Sequence, residues 1–450
     1  MRKSIFAAVL AAVLTLCSCA SGSDVTTPAD TYEPADTVTE TGTQTTATGE
    51  TTQTPDTTDG TVTDGTVTDR QTEPPAERTD APEIKGTVVT APGEAIVYGT
   101  CENDCELYVS ANGYSCTARS DGVYFAVPVT YSRSVNVTIS AAAEGKNRSE
   151  EVSALLKYKK NAGDTGVTAT LGSRVVEKKV LPDMTGENAF DGDEEETVAK
   201  AAAYRVRKTA EKAEKDVKVV YIIVPDPLTV YPEELTDDMK AGIIKKNARF
   251  DQAVAALGSV EGVTVIDLRG AMRQNLEKGK LYYKLDSHWT ELGAYYGYGE
   301  IMTSLGMTAR PLSDFDVKYI DIDDTDMNVY SGVGTGEMYE SAPFVSPRFE
   351  PLCPYFLTKE KTARFWSFAN SFFTGKTSVE HGDPDGPTAL MLFDSYGFNL
   401  IPFIAEHFGT FVTQPVWHYN VDYSLVKKYK PDYVIELLAE RDLGELLSST

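Results

Sequence analysis

The segment Lys284–Gly299, KLDSHWTELGAYYGYG, sets an aspartate, a serine, a histidine and a tryptophan in succession at Asp286, Ser287, His288 and Trp289. Asp286 and His288, two positions apart, can both face one cleft. A carboxylate beside an imidazole fixes its tautomer and stabilises its protonated form, which is what a general base requires. The pair still lacks a nucleophile. A second segment, LMLFDSYGFNL, supplies Ser395, which follows an apolar run and precedes a helical one. A serine on such a turn exposes its hydroxyl and aims the next backbone N–H groups, those of Ser395 and Tyr396, at any oxyanion formed there. The chain has 4 histidines, and the rivals are less well equipped. His381 lies in the loop VEHGDPDG, His407 near a helix end, and His418 follows PVW with no aspartate close before it. Arg441, in AERD, is a weaker candidate for the pocket wall.

The elements that would hold these residues can be read from the apolar runs. Val217–Asp226, Gly262–Arg269, Pro387–Ser395 and Pro431–Asp442 are near-continuous apolar stretches that end in turns, as buried parallel strands do. Helical patterns lie between them at about Glu195–Lys215, Asp237–Leu257, Thr290–Leu305 and Phe398–Phe408. Residues 165–450 are therefore expected to form an α/β domain, a parallel sheet with helices on both faces. Sites in such sheets lie beyond the carboxyl ends of the strands.

Upstream, residues 83–160 carry short β-rich runs with turn signals, Asn112-Gly113 among them, and predict a small immunoglobulin-like β-sandwich. Its role is read as a spacer, with carbohydrate binding the alternative. Cys101, Cys105, Cys116 and Cys353 leave disulfide pairing open. Residues 20–82 are threonine, acidic residues, glycine and proline with almost nothing apolar, a composition expected to stay disordered as a tether. Residues 1–19 combine Arg2 and Lys3 with the short apolar run IFAAVLAAVLTL and then LCSC, which resembles a bacterial lipobox with Cys19 as the lipidated residue. An exported protein, anchored to the bacterial cell surface by lipid alone, is expected. The net charge of −25 and pI near 4.6 exclude nucleic acid as a partner, since phosphate would be repelled.

From about Val167 onward the chain resembles the alginate O-acetylation proteins of the SGNH-hydrolase superfamily and their relatives, the DHHW family. The resemblance rests on DSHWTELGAYY, supported by VPDPLTVYPEEL, TLGSRVVEKKVLPDMTGEN, LFDSYG and KPDYVIELLAERDL in that order. It departs from the family at Ser287, where histidine or threonine is usual, and at LGSRVVEKK. The resemblance implies an SGNH-type catalytic set of Ser395, His288 and Asp286, with Tyr396 and Arg441 near the oxyanion. It implies an acetyl-serine intermediate and a polysaccharide acceptor, with acetyl delivered by a membrane-bound O-acyltransferase. No metal and no cofactor are expected. A carbohydrate acetylesterase and a non-catalytic polysaccharide-binding subunit of an acetylation machinery stand as alternatives. Three further features are read as structural. DIDDTDMN, Asp321–Asn328, is taken as a solvated acidic loop; DGDEEE, Asp191–Glu196, as an acidic approach to a helix; and Tyr295, Tyr296 and Tyr298 as packing.

Overall fold

The computed structural model describes residues 77–111, 113–160, 162, 167–168, 174, 176–234, 248–323, 325–331, 337–352, 377–415 and 420–448. The signal segment with Cys19, nearly all of the 20–82 tether, Asn112, the start of the helical run at 237–247, Cys353 and His418 lie outside the described residues.

Alternating burial organises the first part. β1 (Glu83–Ala91), β2 (Glu94–Thr100) and β5 (Tyr124–Thr130) form one antiparallel sheet. β3 (Glu106–Ala111), β4 (Tyr114–Arg119), β6 (Val135–Ala142) and β7 (Val152–Leu156) form a second, in the order β4-β3-β6-β7. Every second residue of β3 and β5 is buried, the signature of strands with one face on a core. Val97, Leu107, Phe125, Val127, Val137 and Ile139 meet between the two sheets. Cys101, Cys105 and Cys116 are free thiols.

A short ribbon, β8 (Val167–Thr168) with β9 (Val176–Glu177), leads to the α/β part. Here the central apolar runs are buried along nearly their whole length, whereas in the edge strand Val263–Asp267 only Ile266 is buried. β10 (Lys218–Val224), β11 (Val263–Asp267), β15 (Thr388–Phe393), β16 (Thr410–Pro415) and β17 (Tyr433–Ala439) are parallel, in the order β11-β10-β17-β15-β16. The sheet is not wholly parallel as expected: β14 (Ser378–Glu380) adds an antiparallel edge to β16. Both strands are short and lie outside the strongest apolar runs, so periodicity alone does not reveal them. Val220, Ile222 and Val224 pack on one face against the helices Glu291–Ser304 and Gly397–Ile404. Val219, Tyr221 and Ile223 pack on the other against Gly192–Ala213, Ala248–Gly258 and Tyr423–Tyr429. Arg205 of the first of these helices is buried and pairs with buried Glu436 of β17. The acidic run at 191–196 does start that helix, with Asp191 and Glu194 forming a reciprocal capping box.

β12 (Phe315–Ile322) and β13 (Glu340–Pro347) form an antiparallel pair that the sequence reading did not identify. Ala76–Thr450 hold together as one compact unit. One small apolar cluster joins its parts: Val88, Ile96 and Tyr98 of the β-rich region meet Leu285, Met327 and Met338. Leu285 directly precedes Asp286.

Candidate active site

β10, β17 and β15 are neighbours in the sheet, so the residues just past their carboxyl ends come together: Asp226, then Glu440 and Arg441, then Asp394 and Ser395. Opposite them lies the loop 281–290. It is pinned at its base, where Tyr282 bridges Trp289 and the N–H groups of Tyr283 and Thr290 donate to His288 and Leu281. Burial alternates through its tip: Leu285, Ser287 and Trp289 point inward, while Asp286 and His288 stay partly exposed. Asp286 and His288 thus share the cleft side of a bent loop, the His288 N–H folding back onto the Asp286 side chain.

The three groups meet in a line. His288 Nδ1 is 2.6 Å from Asp286 Oδ1, and His288 Nε2 is 2.7 Å from Ser395 Oγ. Asp286 Oδ1 also accepts the His288 backbone N–H at 2.9 Å. With Nδ1–H donated to the carboxylate, Nε2 is left to accept the serine proton, the arrangement of a nucleophile activated by an oriented base.

The serine turn and the histidine loop are fastened to each other. Trp289 is fully buried, and its Nε1–H donates to the Tyr396 carbonyl at 2.9 Å. The Asn399 amide donates to the Trp289 carbonyl at 2.9 Å, and the Tyr396 hydroxyl to the Ser287 carbonyl at 2.7 Å. Glycine makes room for this seam: a Cβ on Gly297 would lie 2.9 Å from the Trp289 ring, closer than side chains tolerate. That contact explains the small residues that follow the motif. Tyr295 and Tyr298 are buried beside it and pack on Phe403, as expected of packing residues.

Asp394 fixes the turn that carries Ser395. Its buried carboxylate accepts the Tyr396 N–H at 2.9 Å and the Ala439 N–H at 2.7 Å, tying the turn to the end of β17. The Tyr396 N–H, expected from the sequence to face an oxyanion, is thus taken up by Asp394. The Ser395 N–H has no partner among the described residues, and it lies just before the helix Gly397–Ile404, whose N-terminal end favours negative charge. Arg441 lies behind the loop. Its guanidinium donates to the Ser287 carbonyl at 3.2 Å, lies 3.4 Å from Asp226 Oδ1, and covers the Tyr396 ring at 5.0 Å. A pocket there is lined by Val176, Glu177, Val180, Asp226, Leu228 and Arg441.

Asp326 is the residue the sequence reading missed. DIDDTDMN is not simply a solvated loop, because Asp326 opens the helix Asp326–Ser331 and turns to the site. Its Oδ2 accepts the Ser287 hydroxyl at 2.5 Å and the Ser287 N–H at 3.1 Å, while its own N–H donates to Asp286 Oδ2 at 3.1 Å. The cluster of carboxylates is plain in the sequence, but nothing local links Asp326 to a loop 40 residues earlier. Asp286, His288 and Asp326 each offer one ligand atom within 4.8 Å of the others. The hydrogen bonds among them account for that closeness without an ion.

Burial would push Asp286 up, but the charge and hydrogen bonds of His288 outweigh it and hold its carboxyl below the ordinary value. Burial likewise pulls His288 down, yet Asp286, aided by Asp326, leaves its pKa above the ordinary histidine value. Asp326 is raised to about 6, by burial first and by the Asp286 charge second. The other described histidines, His407 and His381, have no carboxylate hydrogen-bonded to the ring. His407 is lowered to about 4, chiefly by burial, and meets Tyr298, whereas His381 is exposed in its loop beside the Gly409 carbonyl.

Residues 185–333 match the family described as SGNH hydrolase-like domain, acetyltransferase AlgX. That stretch contains Asp286 and His288, and Ser395 lies beyond it. A probable alginate O-acetylase AlgJ from Pseudomonas aeruginosa is 29% identical over 80 residues, 18% of this chain and 20% of that protein. The matched part thus spans about a fifth of that relative's length. Among solved structures, a DHHW family protein from Eubacterium siraeum aligns over 69% of this chain and 94% of its own, at 13% identity and a TM-score of 0.45. PatB1 from Bacillus cereus aligns over 56% of this chain and 90% of its own, at 18% identity and a TM-score of 0.42. Over residues 185–333, then, the chain is similar to the SGNH hydrolase-like domain of the acetyltransferase AlgX, the superfamily that its Asp-x-His-Trp motif resembles.

Proposed function

We propose that this chain is an exported serine O-acetyltransferase that acetylates an extracellular or cell-wall polysaccharide through an acetyl-serine intermediate. The observation that carries the reading is the Asp286–His288–Ser395 line, with contacts of 2.6 and 2.7 Å. In the first step Ser395 Oγ attacks the carbonyl carbon of an acetyl ester and its proton passes to His288 Nε2. The Ser395 N–H and the following helix end favour the tetrahedral oxyanion. Collapse breaks the ester bond, and His288 returns the proton to the departing alcohol, leaving acetyl-Ser395. A sugar hydroxyl then gives up its proton to His288 and takes the acetyl group by the reverse sequence. Water in place of the sugar makes the same site an acetylesterase.

The resemblance to the alginate acetylation proteins favours the sugar as acceptor, and their chemistry suggests a membrane-bound O-acyltransferase as the source of acetyl groups. The proposed organisation is a lipoprotein signal over residues 1–19, a tether over 20–82, an immunoglobulin-like module over 83–160 and the SGNH-type domain over 165–450. The seven strands in two facing sheets support the third of these. No helix among the described residues is long and apolar enough to cross a membrane. Attachment by lipid on Cys19 is proposed from the LCSC pattern. Loss of the protein from the membrane fraction in Cys19→Ala is expected; full retention would refute the anchor.

The catalytic reading is tested by incubating the protein with 4-nitrophenyl acetate and a panel of bacterial oligosaccharides, followed by mass spectrometry of the sugars. Acetylated sugar is expected to accumulate in competition with free acetate. Acetate alone across the whole panel would favour the esterase.

A further inference from the structure

We infer that the β-rich module is a positioning element of the proposed acyl-transfer site, acting through the charge chain Asp121–Lys280–Glu340, which runs from the partly buried Asp121 to the fully buried Glu340, on the loop that carries Asp286 and His288. The inference rests on the catalytic reading above and extends it to residues 83–160. Asp121 lies in the turn between β4 and β5. Its Oδ2 is 2.6 Å from Lys280 Nζ and accepts the Ser341 N–H at 2.8 Å. Lys280 uses its remaining donors on Glu340 Oε2 at 2.6 Å and the Ser341 carbonyl at 2.7 Å, so the ammonium is fully satisfied. Glu340, 1% exposed, then grips the loop itself: Oε2 accepts the Lys284 N–H at 2.8 Å and Oε1 the Leu285 N–H at 3.0 Å. The next residue is Asp286.

Apolar contact follows the same route, since Leu285 is packed among Val88, Ile96 and Tyr98 of β1 and β2. Tyr124 of β5 stacks on Tyr339 at 5.4 Å, beside Glu340, and its hydroxyl donates to Asp321 at 3.1 Å. A module serving only as a spacer has no need of a charge chain ending on the backbone of the loop that carries His288. Glu340, withdrawn from water at the end of that chain, holds its geometry only while its partners remain.

The test measures kcat and KM for 4-nitrophenyl acetate on the full chain, together with the low-field Nδ1–H proton resonance of His288. Asp121→Ala is expected to lower kcat by roughly ten- to a hundredfold, the scale of a displaced catalytic group, with KM little changed and the resonance shifted or broadened. Asp121→Asn, whose amide oxygen still accepts the Ser341 N–H, should show a smaller change in the same direction. It carries the test if the alanine variant does not fold. Lys146→Ala, which breaks the Lys146–Glu102 pair elsewhere in the module, should move neither readout. Parental kcat and an unmoved resonance in both Asp121 variants, or an equal loss in Lys146→Ala, would overturn the coupling. Ser395→Ala in the same series separates the two ideas. Persisting ester turnover there defeats the acyl-transfer reading, whereas abolished turnover with unaffected Asp121 variants defeats only the role of the module.

Discussion

The two halves of the site are held by different means. Ser395 stands on a turn fixed by its own sheet: β15 delivers it, β17 lies alongside, and Asp394, one residue away, gathers the Tyr396 and Ala439 N–H groups. His288 stands on a loop with no place in the sheet. Its tip is caught by carboxylates remote in sequence, with Glu340 on the N–H groups of Lys284 and Leu285 and Asp326 on Ser287. A strand end positions a residue through many cooperative backbone bonds, whereas a loop so held depends on a few buried side chains, each of which matters more.

That difference can be broken experimentally. Glu340→Gln replaces a buried carboxylate that faces Lys280 and two backbone donors, and removal of one partner from such a set costs about 3–5 kcal/mol. Asp394→Asn turns an amide donor toward one of two backbone donors, at a cost of about 1–3 kcal/mol. Thermal unfolding and ester turnover of the two variants should therefore rank Glu340→Gln as the more damaged in both. Equal or reversed losses would mean that the loop is no more dependent on its side chains than the turn.

A smaller effect sharpens the electrostatic side. His288 must be neutral to accept the Ser395 proton, so the rate should rise with pH through a value above the ordinary histidine pKa, about 6.5. Asp326 contributes to that elevation, so Asp326→Asn should move the acid limb of kcat/KM to lower pH. The stability sign agrees: a histidine raised in the folded state adds stability that is present below its unfolded pKa and lost as pH rises through the folded one. An acid limb that stays put, or moves to higher pH, would show that Asp326 does not act on His288.

The same contrast decides what the sequence made legible. Strand, turn and helix around Ser395 are successive in the chain, so local patterning located it. The Asp286-His288 pair was also visible, because two residues apart is a local relation. Glu340, Lys280 and Asp121 carried no signal, for their meaning comes from partners 55 to 220 positions away. Asp326 was noticed and misread for the same reason. The parallel core strands announced themselves by continuous apolar runs, whereas the partly buried edge strand β14 and the pair of the largely exposed β12 with β13 did not.

The central claim is that Asp286, His288 and Ser395 act as one acyl-transfer unit, and intact-protein mass spectrometry after brief mixing with 4-nitrophenyl acetate tests it most directly. The parent chain should gain one acetyl group, which peptide mapping assigns to Ser395. Ser395→Ala and His288→Ala should each lose that adduct, with turnover reduced on the order of 10⁴-fold and no further loss when the two are combined. An adduct on another residue, or parental turnover in folded Ser395→Ala, would contradict the account.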